Sequence, residues 1–153
     1  MTDDGAIRFE VRGFPAPQGA LKVGMAGGRA HLFNRSSGPL RDWRGAVASA
    51  AQPHAPTPVW DGPVSVALAF RLPQPRSRPT TVGRGKKKRA VRIWPDRKPD
   101  VDKLVRAVLD ALSGVVFMDD SQVVRLTASK DYGDPGVVVE VSRVADGGGG
   151  GPA

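Results

Sequence analysis

The chain has 153 residues, of which 40% are hydrophobic, and this length and composition suit one domain with one core. It contains no cysteine and two histidines, which excludes disulfides, thiolate catalysis and zinc ribbons and leaves oxygen ligands as the option for a metal. The net charge is +8, acids stand where a signal peptide would carry positive charge, and no apolar run approaches the ~18 residues of a membrane span, so we expect a cytoplasmic protein.

The first third of the chain predicts a strand, a loop and a helix. Residues 6–13 alternate apolar and polar side chains, which is typical of a half-buried strand. Residues 14–38 are rich in Gly, Pro and Ala and predict an irregular connection. A helix is expected from about Pro39 to Pro53. Its apolar face would contain Leu40, Trp43, Val47, Ala50 and Ala51.

The middle of the chain contains the two clearest elements. Apolar residues alternate without interruption from Val64 to Leu72, which predicts a strand. Residues 73–99 then form a Pro-rich, basic excursion. From Val101 to Leu112 the apolar residues recur at intervals of three and four, which predicts an amphipathic helix. Gly114 follows it in the position of a C-terminal glycine.

Two further strands are expected at residues 123–130 and 137–144, joined by a turn. The order of elements predicts an α+β fold, with a small mixed β-sheet flanked by two helices. We expect one domain over residues 1–144, in which residues 73–98 form a basic loop. Residues 145–153 contain five consecutive glycines and nothing to bury, so this tail is expected to be disordered.

Positive charge is concentrated in one segment, Arg71–Lys98, which we call the basic segment. It contains eleven Lys and Arg residues and one acid, a net of +10, so the remainder of the chain sums to about −2. Such a concentration is typical of a protein that binds nucleic acid, although a solvated loop that keeps the protein in solution is the alternative. The side chains expected to contact DNA here are Arg76, Arg78, Arg84, Lys86, Lys87, Lys88, Arg89 and Lys98.

Four aspartates are arranged as a metal site would require. Asp100 and Asp102 stand two residues apart at the start of the predicted second helix, so their carboxylates can converge on one point. Asp119 and Asp120 follow an apolar run, in an extended stretch where neighbouring side chains diverge, so one of them can face the first two carboxylates. Hard oxygen ligands of this kind suit Mg²⁺, with Mn²⁺ as a possible substitute.

A structural interpretation of the same acids is also available. Asp100 can be the N-cap of the helix and Asp102 an acid in its first turn, where both complement the helix dipole. Arg106 stands four residues from both Asp102 and Asp110 and can form surface ion pairs with them. No helix is expected to begin at Asp119–Asp120, so that pair favours a cation site.

The stretch Lys98–Val124 resembles the signature of the RusA family of Holliday-junction resolvases. In that signature a Pro-Asp-x-Asp-Asn-Leu-x-Lys helix is followed by Asp-Ala-Leu and then by Asp-Asp-x-Gln-Val. A weaker resemblance extends to the segment from Gly13 to Gly19 and to the helix that contains Trp43. The matching positions are Pro99, Asp100, Asp102, Leu104, Asp110, Ala111, Leu112, Gly114, Asp119, Asp120, Gln122 and Val123.

The resemblance implies a homodimer that acts on four-way DNA junctions and uses acidic residues to bind a divalent metal. The metal carboxylates would be Asp100, Asp102 and Asp120, with Asp119 in support. Two residues depart from the pattern: Lys103 stands in place of Asn, and Arg106 in place of a catalytic Lys. Either Lys103 or Arg106 could replace the catalytic Lys: Lys103 could supply the ammonium group while Arg106 contacts phosphate, since Arg is not a proton donor near neutral pH. Lys130 falls where the family tends to carry a lysine and is assigned to DNA contact.

These residues predict a Mg²⁺-dependent endonuclease that resolves four-way junctions by paired nicks, without a small-molecule cofactor or a membrane partner. The alternatives are a metal nuclease acting on other branched DNA and a non-catalytic DNA-binding module, which would need no divalent metal. Trp43, Phe70 and the run Val115–Met118 are candidates for the dimer interface, or else they fill the core of the monomer.

Overall fold

The computed structural model describes residues 5–19, 21–26, 29–34, 37–78 and 81–145. The predicted tail beyond residue 145 therefore lies outside the described residues. Two α-helices are present in the described part, α1 (Ser37–Ala51) and α2 (Val101–Leu112). The strands described are β1 (Ala6–Arg12), β2 (Leu21–Ala26), β3 (Arg29–Asn34), β4 (Val64–Leu72), β5 (Thr81–Val82), β6 (Arg89–Ala90), β7 (Val123–Tyr132) and β8 (Gly136–Arg143).

Four of the strands form one mixed sheet in the order β1-β8-β4-β7. β8 is antiparallel to both of its neighbours, and β7 runs parallel to β4. β7 is an edge strand, and its residues 124–129 are exposed, among them Val124 and Leu126. One edge of the sheet thus presents a ten-residue strand that α2 contacts on one face.

The core lies between this sheet and the two helices. All five apolar residues that alternate along β4 are buried, as the sequence predicts. They belong to one cluster with the apolar faces of α1 and α2, which also pack on each other. The expected α+β architecture, a small mixed sheet with two helices, is therefore confirmed. Within the residues that the structure describes, no helix combines the length and apolar character needed to cross a membrane.

Within residues 14–38, for which the sequence predicts an irregular connection, the structure describes two strands. β2 and β3 pair as an antiparallel hairpin with Leu21 opposite Asn34 and Ala26 opposite Arg29. Leu21, Val23 and Met25 alternate with shorter or polar residues, a strand pattern that the surrounding glycines and alanines conceal.

The basic segment also contains more structure than a loop. β5 and β6 pair through Thr81–Ala90 and Val82–Arg89, and a short 3₁₀ turn spans Gly85–Lys87 between them. The predicted helix from Pro39 begins at Ser37, and the strands at the end of the chain run to Tyr132 and from Gly136.

The apolar residues named as interface candidates lie mainly in the monomer core. Trp43 and Phe70 retain 2% and 1% of their exposure, and Val116 and Phe117 are fully buried. Met118 alone in that run is strongly exposed, at 63%. Trp43, Phe70, Val116 and Phe117 are therefore core residues, because one sheet and two helices cover them, whereas Met118 is not.

Candidate active site

The helix α2 carries the first group of acids on its exposed side. Its buried residues follow the predicted apolar spacing, which leaves Asp102, Lys103 and Arg106 at least partly exposed. Asp100 occupies the N-cap position, but its carboxylate makes no capping hydrogen bond. Instead, one oxygen of Asp100 lies 3.4 Å from the ammonium nitrogen of Lys103. The capping interpretation thus describes the position of Asp100 and not what its carboxylate does.

A short 3₁₀ helix begins at Asp120, contrary to the expectation that no helix starts there. Asp119 is its N-cap: the carboxylate accepts a 3.0 Å hydrogen bond from the amide of Ser121, and the backbone amide of Asp119 donates a 2.8 Å bond to the side-chain oxygen of Gln122. Hydrogen bonding from the Ser121 side chain and then its amide holds the pKa of Asp119 below its usual value. The two adjacent aspartates therefore have different roles, because the Asp119 carboxylate caps the turn in which Asp120 lies.

Gln122 connects this turn to a distant part of the chain. Its side-chain amide donates to the carbonyl oxygens of Trp60 and Gly62, at 2.9 and 2.8 Å. The backbone of Trp60 also bonds to that of Val116 and Met118, just before the acidic pair. All three side-chain hydrogen bonds of Gln122 are thus to backbone atoms, and they hold the turn that contains Asp120 against residues 60–62.

Acids from α2 and from the 3₁₀ turn face one groove between α2 and β7. The groove has a volume of about 400 Å³, with an aliphatic floor and three charged side chains. Asp102 and Arg106 come from α2, and Asp120 comes from the turn before β7. Its complete lining is Val101, Asp102, Val105, Arg106, Leu109, Asp120, Leu126 and Ala128. Asp100 is not part of this lining.

These side chains do not form a complete metal cage on their own. In the described part of the chain, no three His, Cys, Asp or Glu side chains are grouped closely enough to hold an ion. Mg²⁺ does not require such a cage, because it keeps several waters and commonly binds one or two carboxylates together with substrate phosphates. The exposed carboxylates of Asp102 and Asp120 are hard oxygen donors that fit this kind of hydrated site.

Most of the predicted DNA contacts lie at the surface. Seven of the eight named residues in the basic segment are exposed: Arg76, Arg84, Lys86, Lys87, Lys88, Arg89 and Lys98. The structure leaves these seven available to phosphate.

Two of the predicted DNA contacts are engaged within the protein instead. Arg78 donates to the Trp94 carbonyl, to the Asp96 carboxylate and to the Tyr132 hydroxyl. The Asp96 bond raises the pKa of Arg78, and the same bond lowers the pKa of Asp96. The ammonium of Lys130 donates to the carbonyls of Arg97 and Pro99, each at 2.9 Å.

Sequence reasoning did not single out the exposed aromatic residue Trp94. Trp94 is 55% exposed, and the guanidinium carbon of Arg92 lies 4.0 Å from the centre of its ring. Arg92 also forms an ion pair with Asp131 at the end of β7. A single Trp two residues after an Arg is a weak signal in sequence, because tryptophan side chains are largely buried on average, as those of Trp43 and Trp60 are here.

Residues before α1 also reach the site. The amide of Gln18 donates to the carbonyl of Lys103 in α2, at 3.0 Å. This bond gives a structural role to the segment from Gly13 to Gly19, which the sequence connected to the site only by resemblance. Within the described residues, the side-chain oxygen of Gln18 is buried without a hydrogen-bond partner.

Comparison with known proteins agrees with this geometry. A family model described as endodeoxyribonuclease RusA matches residues 13–142. The chain is 34% identical over 140 residues to the uncharacterized protein YqaN of Bacillus subtilis strain 168, which covers 91% of this chain and 97% of that protein. The matched region contains the groove acids, the 3₁₀ turn and the basic segment. The chain therefore belongs to the RusA family of endodeoxyribonucleases.

Proposed function

We propose that this endonuclease resolves four-way DNA junctions in a Mg²⁺-dependent reaction, by paired nicks in a homodimer. The observation that carries the proposal is the groove between α2 and β7, which two carboxylates and one guanidinium line together. Family membership supplies the endonuclease activity and the class of substrate, a branched DNA junction. The metal, the paired nicks and the dimer are the parts that experiment has to test.

Asp102 and Asp120 would hold the ion, with Asp100 as a further candidate ligand that pairs with Lys103 and Asp119 supporting the turn. A bound Mg²⁺, or Mn²⁺ in its place, would supply Lewis-acid chemistry: it activates water and stabilises the charge that develops on the phosphodiester. Two carboxylates leave coordination positions for waters and for a phosphate oxygen, as Mg²⁺ prefers.

The two basic residues of α2 would act differently. Arg106 lines the groove with the acids, so its guanidinium can bind the phosphate and stabilise negative charge on it. Lys103 does not line the groove and its ammonium nitrogen pairs with Asp100, so its contribution to catalysis stays a prediction from the sequence.

The exposed basic segment would bind the DNA arms through their phosphates. Its +10 excess carries no base-reading pattern, which favours recognition of shape and charge over recognition of sequence. DNA contact by Arg78 and Lys130 is less favoured than contact by the seven exposed residues, because both are hydrogen-bonded within the protein.

A nicking assay on synthetic DNA tests the proposal. Four-way, three-way and linear duplexes of matched arm sequence are incubated with the protein and Mg²⁺, and parallel reactions contain EDTA. We expect symmetrical nicks in the four-way junction, slower cutting of the three-way junction, and no cutting with EDTA. Equal cutting of three-way and four-way DNA would favour a general branched-DNA nuclease, and cutting in EDTA would contradict the metal requirement.

A further inference from the structure

Lys130 contacts the backbone that joins the basic segment to α2. It lies near the end of β7, opposite the fully packed Phe70 of β4 in the parallel register. Its ammonium nitrogen is 2.9 Å from the carbonyl oxygens of both Arg97 and Pro99. These two carbonyls belong to the stretch that leads directly into the N-cap residue Asp100.

The neighbouring residues of β7 hold the same excursion at two other points. Asp131 forms an ion pair with Arg92, and the Tyr132 hydroxyl lies 3.3 Å from a guanidinium nitrogen of Arg78. Three consecutive residues of β7 thus contact Arg78, Arg92, Arg97 and Pro99. The end of β7 is therefore an anchor for the segment that connects the basic surface to the catalytic helix.

The start of α2 depends on this anchor because it has no side-chain cap of its own. The carboxylate of Asp100 makes no capping hydrogen bond. Its backbone carbonyl accepts a helical hydrogen bond from the amide of Leu104. From Pro99 to Asp102 the chain spans at most about 10 Å, so fixing the Pro99 carbonyl restricts where both acids can lie.

Asp120 is connected to the opposite end of the same strand. The 3₁₀ turn Asp120–Gln122 runs directly into Val123, the first residue of β7. One strand therefore follows directly on the turn that contains Asp120 and carries, near its end, the anchor for the segment that leads to Asp100 and Asp102. A rigid strand of this kind sets the separation of the two groups of acids.

We propose that Lys130 is a positioning residue, which holds the Arg97–Pro99 backbone so that the acids of α2 meet Asp120 across the groove. The inference rests on the proposed metal-dependent function of that groove. It assigns to Lys130 a role other than the DNA contact expected from its charge, because two of its three N–H donors are directed at protein carbonyls.

The test compares Lys130→Met, which keeps the length of the side chain and removes its charge, with Lys87→Met in the exposed basic segment. We expect Lys130→Met to bind a four-way junction within about 2-fold of the parent while its cleavage of bound junction falls by about 10–100-fold, the usual effect of losing a residue that orients metal ligands. Lys130→Arg, which can donate to both carbonyls, should recover most of the rate. Lys87→Met should instead weaken junction binding and reduce its salt dependence.

A second measurement does not depend on cleavage. Mn²⁺ is titrated into the protein without DNA, and the paramagnetic broadening of amide signals from Asp102 and Asp120 is followed by NMR. We expect Lys130→Met to need about 10-fold more Mn²⁺ for the same broadening, and Lys130→Arg to resemble the parent.

The outcomes separate the two proposals. A Lys130→Met protein that loses binding and salt dependence as Lys87→Met does, with unchanged Mn²⁺ broadening, would show that Lys130 is a DNA contact. If Lys130→Met does not fold, Lys130→Arg decides: unchanged Mn²⁺ broadening and cleavage support the positioning role, and a loss of both overturns it. A parent protein that cuts no junction would refute the proposed function, while the Mn²⁺ comparison would still test the positioning role.

Discussion

At the scale of single residues, neighbouring aspartates have separate tasks. Asp119 caps a 3₁₀ turn through Ser121, while Asp120 lines the groove with Asp102. On α2 the division falls between Asp100, which pairs with Lys103, and Asp102, which faces the groove. Carboxylates in similar sequence positions thus differ because their hydrogen-bond partners differ.

The groove acids should be essential for cleavage and dispensable for binding. We expect Asp102→Asn or Asp120→Asn to abolish cleavage of a four-way junction in Mg²⁺, because the amide no longer supplies an anionic metal ligand. Junction binding, measured by gel shift in EDTA, should persist or tighten, since a negative charge near DNA is removed. Asp42→Asn, an exposed change on α1, is the matched control and should cut within a few-fold of the parent. Cleavage by either groove variant at that control rate would rule out the two-carboxylate site.

The cap formed by Asp119 should be lost only in acid. Its pKa is lower in the folded protein than the ordinary value of about 3.9, because Ser121 hydrogen-bonds to the charged carboxylate. The capping bond therefore contributes its full stabilisation above the ordinary pKa of Asp. This stabilisation is lost as the pH falls through the lower pKa that Asp119 has in the folded protein. An NMR titration should therefore show the Ser121 amide shifting below about pH 4 and constant from pH 5 to 8. A midpoint at or above the ordinary Asp value would contradict the hydrogen-bonded cap.

At the scale of elements, the basic segment and α2 are held in place in different ways. The apolar face of α2 is buried in the core, so its position is fixed by packing along its whole length. In the described part of the basic segment, the regular structure consists of the two paired positions of β5 and β6 and one 3₁₀ turn, and residues 82–90 are exposed. A few side-chain contacts connect this segment to the rest of the protein. The surface that meets phosphate is thus separate from the elements that hold the acids.

Junction binding should weaken steeply with salt through the basic segment. Each phosphate neutralised on a duplex arm contributes about −0.9 to the slope of log K against log salt. Replacing Lys86, Lys87 and Lys88 with Ala should flatten that slope without moving the cut site, because these exposed lysines lie outside the groove. Replacing Arg8, Arg41 and Arg143 with Ala removes equal charge elsewhere and serves as the control. An unchanged slope in the lysine variant would make the segment a solvated loop.

At the scale of the whole molecule, one sheet face and two helices account for the core, and the edge strand β7 remains exposed. The groove lies against that same edge, with Leu126 and Ala128 in its lining. The aromatic residues that the sequence offered for an interface are buried, so any contact between protomers has to use other surface.

The protein should be a homodimer, because two matched nicks in a two-fold symmetric junction require two identical sites in register. Analytical ultracentrifugation at micromolar concentration, with and without a junction, measures the assembly. We expect a dimer in both samples and one dimer on each junction. A monomer that stays monomeric on the junction would leave single, unpaired nicks and favour a simple branched-DNA nuclease.

What the sequence determined by itself is local. The bounds of α2, the buried face of β4 and the candidate acids follow from periodicity and spacing within about a dozen residues, where side-chain direction is set by the helix or strand period. The hairpin β2–β3 also had a local pattern, but it was short and lay among small residues that carry little apolar signal.

Only the tertiary structure decided which partners the individual side chains have. Gln122 reaches carbonyls 60 and 62 residues away, and Lys130 reaches carbonyls 31 and 33 residues away, so neither bond has a signature in the neighbouring sequence. Trp43 and Phe70 likewise became core residues because of which elements cover them. The chemistry of a side chain determines which kind of group it can bind. Which residue becomes its partner depends on the tertiary fold, because distant segments supply the neighbouring atoms.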